Sequence, residues 1–239
     1  MNKNMTKENF LFGIIGLLLG LIIGFMFANS VNQSAATPVA SMTNQPGMNP
    51  NAPLPPGHPE VSNQQAENMP EVQAAIDKAK QEPENFDAQI KAAEMYYQIG
   101  RFNGAIEFLE KANKIKPEDY DTIVNLGNAY FDANRYEEAE KWYMTALAKN
   151  PDNINVRTDM GLTFIFRQPP NYDRAVQEFQ RSLEKDPNHS QTLQNLTVAY
   201  TKKGDLENAK STLARLESAD GKNSTIPKLR EEIQKLKTK

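Results

Sequence analysis

The 239-residue sequence contains no cysteine. That excludes disulfide staples, a cysteine-ligated zinc site, covalently attached haem and a lipid-bearing cysteine. Histidine is nearly as scarce: His58 and His189 are the only two, too few for a histidine-built metal centre. There is no basic excess either. Lys and Arg number 27 against 30 Asp and Glu, for a net charge of -3, so the charge balance does not point to nucleic acid. Catalytic signatures are missing as well: no Gly-x-Ser-x-Gly elbow, no His-Glu-x-x-His, no Walker A loop and no Gly-x-Gly-x-x-Gly. The expectation is a protein that is not an enzyme and uses no metal and no cofactor.

What the chain does have begins with an apolar block. Phe10 to Ala28 runs for nineteen residues without a charge. At about 1.5 Å per residue a helix of this length reaches roughly 28 Å, close to a bilayer's hydrocarbon core. Two readings stand: a signal anchor that stays in the membrane, and a cleaved signal peptide with Ala28-Asn29-Ser30 as its small-x-small site. Length favours the anchor, since the apolar core of a cleaved signal runs to about 7–15 residues. Lys3 and Lys7 precede the block, and no Lys or Arg follows until Lys78. The positive-inside rule then places residues 1–9 in the cytoplasm, 10–28 in the membrane and the rest outside the cytoplasm, which in a bacterium is the periplasm. Gly16, Gly20 and Gly24 form a stripe at four-residue spacing, where two membrane helices pack closely. Homo-oligomerisation through that stripe is one expectation.

Residues 29–68 change character. They hold seven of the fifteen prolines, and their first charged residue is Glu60. Without helical or strand periodicity they bury too little apolar surface to offset their ordering entropy. A disordered spacer is expected, with polyproline II character from Asn49 to Pro59. A sharper alternative is a recognition motif around Leu54 to Pro59 that uses His58.

Beyond residue 68 an internal period dominates. Pro83, Pro117, Pro151 and Pro187 punctuate the chain at spacings of 34, 34 and 36. Aligned on them, Ala105, Ala139, Ala175 and Ala209 fall in one column, and Tyr96, Tyr130, Phe164 and Tyr200 in another. Gly127 and Gly161 share a small-residue column with Ala93 and Thr197. Each unit is expected to be a pair of antiparallel helices. Gly127 and Ala139 would let the two axes come close, Tyr130 and Tyr136 would fill the space beside them, and proline would start the next unit. Gly100, Asn134 and Gly204 stand at the turns within units, where a positive φ is needed. The third unit carries two extra residues in its turn, within Arg167 to Asn171.

These columns resemble the tetratricopeptide repeat (TPR) family, the second unit most closely through Asn125 to Tyr130, Tyr136 to Ala139, Ala146 and Pro151. The resemblance implies an all-α solenoid of four helix pairs: residues 86–119, 120–153, 154–189 and 190–220. A partial unit at 69–85 and a helix at 221–239, with Leu229, Ile233 and Leu236 at helical spacing, would cap the ends. It also implies that the first helix of each unit lines a concave groove. The groove residues are then Glu94 and Tyr97 from the first unit, and Asp121, Asn125, Asn128, Phe131 and Asp132 from the second. Asp159 and Phe166 follow from the third, and Asn195 from the fourth. In the family, amides in the column of Asn125 and Asn195 pair with the backbone of an extended peptide. The expected function is a membrane-tethered scaffold outside the cytoplasm, binding protein or extended peptide partners during envelope protein assembly. Two alternatives accompany it: a component of cytochrome c maturation that holds apocytochrome, and a self-assembling structural tether. Glu137, Glu138, Glu140 and Lys141 read as solvated outer surface, and Trp142 as packing.

Overall fold

The computed structural model describes residues 69–236. The apolar segment 10–28 with Gly16, Gly20 and Gly24, and the proline-rich stretch 29–68, lie outside the described residues. Among the described residues no helix is long and apolar enough to cross a membrane, and every regular element is a helix.

In chain order these are α1 (Pro70–Gln81), α2 (Phe86–Gln98), α3 (Phe102–Ile115), α4 (Tyr120–Asp132), α5 (Tyr136–Lys149), α6 (Ile154–Phe166), α7 (Tyr172–Lys185), α8 (Ser190–Lys203), α9 (Leu206–Ala219) and α10 (Ile226–Leu236). The period seen in the sequence reappears in the caps. Asn85, Asp119 and Asn153 stand at successive first-helix N-termini, each accepting a hydrogen bond from the backbone N–H three residues on. A short polar side chain there satisfies a donor that the helix itself leaves open.

The turns inside the units are equally regular. Gly100, Asn134 and Gly204 have φ of 71°, 59° and 82°. Each reverses the chain so that the next amide reaches back, at 2.8–2.9 Å, to the carbonyl of Tyr96, Tyr130 or Tyr200. The third unit takes a longer path from Arg167 to Asn171, yet its last amide closes on Phe164, the same column, at 2.7 Å. The two extra residues are thus absorbed in the loop, and the helices keep their register.

Within each unit the two helices meet over the alanine column, in which Ala105, Ala139, Ala175 and Ala209 are fully buried. The glycine column is filled differently from the expectation. The ring of Tyr143, not Tyr136, covers Gly127, and Phe179 covers Gly161. Tyr130 is buried and hydrogen-bonds Glu110 at 2.6 Å, whereas Tyr136 is only half-buried and turns to Phe131 and Phe166. The reason is geometric: Tyr136 opens α5 beside the turn, while Tyr143, two helical turns on, stands level with the middle of α4.

Stacking of units is asymmetric. Successive first helices approach one another, α4 to α6, α6 to α8 and α8 to α10, whereas successive second helices make at most sparse contact. The first helices therefore form the inner file of a curved stack, and the second helices the outer file. Glu140 and Glu138 on the outer file are half-buried and paired with Arg167 (3.3 Å) and Arg135 (2.8 Å), and Trp142 packs at the edge of the core.

Both ends are covered. Val72, Ile76 and Ala79 of α1 are buried, and the fully buried Gln89 donates from Nε2 to the Ala79 carbonyl at 2.7 Å, joining α1 to α2. At the far end Ile226, Leu229 and Ile233 of α10 are buried. Ile226 completes the apolar face expected of Leu229, Ile233 and Leu236, because Leu236 stays half-exposed.

Candidate functional site

The inner file carries side chains that contact across unit boundaries and remain partly open to solvent. Tyr97, in the last turn of α2, donates its hydroxyl to Asp132 Oδ2, in the last turn of α4. One residue before Asp132, Phe131 meets Phe166 at the end of α6, with ring centroids 5.8 Å apart and edge to face. Tyr136 closes a triangle with them, 5.3 Å from Phe131 and 6.1 Å from Phe166. Phe166 keeps 44% of its surface exposed, unusually much for a large apolar side chain here. Helical spacing explains the assembly: these residues end their helices on the groove side, where the first helices converge.

Asp159, one and a half turns into α6, is buried, at 5% exposure. Burial first, and then the charge of Asp132, push its carboxyl up to about 7. No hydrogen bond or ion pair is formed by its carboxyl among the described residues. Asp132 is also raised by burial, an effect its hydrogen bond from Tyr97 only partly offsets. The Tyr97 hydroxyl is held far above its ordinary range, by burial and then by Asp132. The fields of Asp159 and Asp132 also reach Tyr143, so the four groups form one neighbourhood.

The other expected groove residues divide. Asn125 is half-buried on α4. Asn128 is turned inward, its carbonyl accepting from the Tyr143 hydroxyl at 2.9 Å, which makes it a support for the helix pair. Glu94 is half-buried and paired with Lys91 at 3.3 Å. Asp121 lies in the first turn of α4, about 16 Å along the axis from Asp132, and burial raises its carboxyl. Asn195 is buried, at 7% exposure, with its Nδ2 unpartnered. The structure thus gathers Tyr97, Phe131, Asp132 and Phe166 into one place, keeps Asp159 buried two turns back along α6 within the field of Asp132, and leaves Asp121 and Asn195 apart. Tyr136 belongs to that place too. Its position at the start of a second helix hid it, although an aromatic ring one turn from Phe131 along the chain was a usable signal.

The inner file is knit by polar contacts elsewhere as well. Asn153 donates to the Tyr120 hydroxyl at 2.9 Å, Thr158 and Thr192 meet at 2.7 Å, and Thr225 donates to Gln194 at 3.1 Å. His189 lies at the N-terminus of α8 with Nδ1 2.7 Å from the Thr192 hydroxyl. Among the described residues no group of acidic and histidine side chains is arranged to hold a metal ion.

Two family models, both of the tetratricopeptide repeat, match the chain, one over residues 100–158 and 170–233 and the other over 70–120. No curated protein matches it. Among solved structures, MamA is 20% identical, with 70% of this chain and 95% of MamA covered and a TM-score of 0.58. YrrB, described as a TPR protein with an unusual peptide-binding site, is 19% identical over 72% of this chain and 87% of its own, with a TM-score of 0.58. A tetratricopeptide repeat protein from Parabacteroides merdae ATCC 43184 is 19% identical over 75% and 70%, with a TM-score of 0.61. At these identities the likeness speaks to the fold.

Proposed function

The chain belongs to the tetratricopeptide repeat family, and from that premise we propose that it is a membrane-tethered scaffold that binds extended protein segments along its inner helical file. The binding reading is carried by one observation. Where α4 and α6 meet, the inner file presents an exposed aromatic edge at Phe166, packed on Phe131 and Tyr136, with Phe131 one residue along the chain from the Tyr97–Asp132 pair. Exposed apolar surface with polar groups at its rim is what a partner segment covers. The chain acts in this reading by holding a partner, not by transforming it.

The tether and its side are supported by the sequence. The uncharged segment from Phe10 to Ala28 follows Lys3 and Lys7, which favours repeats outside the cytoplasm and work in envelope protein assembly. A second reading, self-association of the tethered chains, draws on Gly16, Gly20 and Gly24.

Site-specific photo-crosslinking of the full chain in intact cells tests the groove. A photoreactive phenylalanine at Asn125, on the inner file, is expected to capture a partner that the same group at the exposed Lys141, on the outer file, does not. Adducts from Lys141 alone would overturn the reading. Adducts containing only a second copy of the chain would establish self-association instead.

A further inference from the structure

Four prolines ahead of the repeats recur at a fixed interval of three: Pro50, Pro53, Pro56 and Pro59. They lie outside the described residues, in the stretch whose composition favours polyproline II. That helix turns once every three residues and rises about 9 Å in doing so, so the four rings would share one edge, one ring per turn. No Lys, Arg, Asp or Glu occurs from 29 to 59, so covering this edge strips water from no charge.

The repeats carry aromatic rings at a matching interval. At the turn inside the first unit Tyr97 meets Phe102, with centroids 5.2 Å apart and edge to face. At the turn inside the second, Phe131 meets Tyr136 at 5.3 Å, and Phe166 of the third unit leans on both. Packed helices stand about 8–10 Å apart, so the step from one unit to the next is close to one polyproline turn. The first four rings are half-buried, and Phe166 is exposed. In the fourth unit the positions of Tyr97 and Phe102 are taken by Thr201 and Leu206, so the aromatic edge stops after three units.

The chain enters the array at that edge. Gln89, early in α2, donates to the carbonyls of Ala79 and Glu82 at the end of α1, at 2.7 and 3.2 Å. The two helices are therefore antiparallel. Pro70, at the start of α1, stands level with Tyr97 at the end of α2, each about 12–14 Å along its own axis from the Gln89 contact. From Pro59 to Met69 the chain advances ten residues, up to about 31 Å when extended. The three helix-to-helix steps from α1 through α2 and α4 to α6 come to about 24–30 Å. The tether is long enough to lay the prolines along the edge from Phe166 back to Tyr97, and too short to carry Pro59 far beyond it.

We propose that the segment from Pro50 to Pro59 of the same chain docks on this aromatic edge, its in-register prolines seated against successive ring groups. Proline gives up little backbone freedom on docking, because its φ is already fixed, and aromatic-lined grooves are what polyproline segments fit. The short tether holds the segment at an effective concentration on the order of millimolar, so a weak contact suffices. The inference goes beyond the partner-binding reading and does not depend on it. The edge is filled by the chain itself, and a partner gains it by displacement.

The test uses the full chain in neutral detergent, with a diazirine side chain at Leu54, irradiated as an equal mixture of isotope-labelled and unlabelled protein. Adducts are expected within one chain, to the peptides that hold Phe131 or Phe166. Pro53→Ala with Pro56→Ala, both in register, is expected to lower their yield about fivefold, and Phe166→Ser to do the same. Pro46→Ala with Pro55→Ala removes as many prolines outside the register and is expected to leave the yield unchanged. Adducts joining labelled to unlabelled chains would overturn the proposal in favour of a second copy. Adducts scattered over the outer file, or none to the repeats, would overturn it outright, as would equal losses from the two proline pairs. The proline variants leave the repeats untouched, so their comparison decides even if Phe166→Ser fails to fold.

Discussion

The ring of Tyr143 occupies the space that a side chain at Gly127 would need: a β-carbon built there falls 2.5 Å from Tyr143 Cε1. Phe179 stands in the same relation to Gly161. In the first and last units the facing positions are Leu109 and Leu213, and the small-residue column relaxes to Ala93 and Thr197. Glycine is thus present where, and only where, an aromatic ring lies opposite.

Gly127→Ala is therefore expected to destabilise the solenoid by about 1–3 kcal/mol through overpacking. The methyl meets the edge of a fully buried ring. Tyr143→Leu in the same chain should recover part of the loss, since it recreates the pairing of the end units. Thermal unfolding of the two single variants and the double gives the coupling. Additive effects would contradict direct contact.

Asp159 makes stability depend on pH. Its folded value of about 7 lies above an unfolded value of about 3.9, so the folded state binds the proton more tightly. Its favourable contribution is complete below pH ~4 and disappears as pH rises through about 7. The groups facing it are Asp132 from α4, Tyr97 from α2 and Tyr143 from α5. Asp159→Asn, which cannot ionise, is expected to match the wild type at pH 4 and to exceed it by about 2–4 kcal/mol at pH 8. Denaturant midpoints at both values measure this. A variant no more stable than the wild type at pH 8 would show that Asp159 is compensated in the folded state.

The buried amide of Asn195 leads to a trade between stability and binding. Its Nδ2 lacks a partner, and an unsatisfied buried donor costs about 1–3 kcal/mol. Asn195→Leu is expected to raise the melting temperature. If the amide is kept for a partner's backbone, the same variant weakens capture of the segments recovered by crosslinking. A more stable variant with undiminished capture would take Asn195 out of the binding surface.

Topology is open to a direct measurement. With Lys3 and Lys7 ahead of the apolar segment and no Lys or Arg behind it until Lys78, protease added to intact spheroplasts is expected to digest the repeats. Protection until lysis would reverse the orientation. A mature N-terminus near Asn29 would identify a cleaved signal in place of an anchor.

The helices, their pairing and the turns at Gly100, Asn134 and Gly204 follow from repeated residues, because each is set by a local requirement that recurs every unit. Contacts between columns are harder to read. Gly127 and Tyr143 each look ordinary in their own column, and only their joint variation with Gly161–Phe179 and the leucine-facing units reveals the contact. Depth in the groove is harder still. Asn125, Asp159 and Asn195 share a column, yet Asn125 is half-buried while the other two are buried. The difference arises from how closely the next first helix approaches: α6 and α8 are crowded by their successors more than α4 is. That spacing belongs to the superhelix and has no signature in any single unit.

That successive first helices touch one another, while successive second helices are joined chiefly through the first helix between them, has a mechanical consequence. Phe131–Phe166 and Thr158–Thr192 join successive first helices, and Thr225, just ahead of α10, reaches Gln194 on α8, while successive second helices make at most sparse contact. Load applied at the two ends meets a stiff inner seam and a compliant outer edge, so the array yields by rotation about the seam, as a leaf spring flexes about its clamped side. Curvature is the soft coordinate and length the hard one. A segment gripped across several units would be felt at every joint it spans, and tension along the chain would register as a change in the radius of the groove.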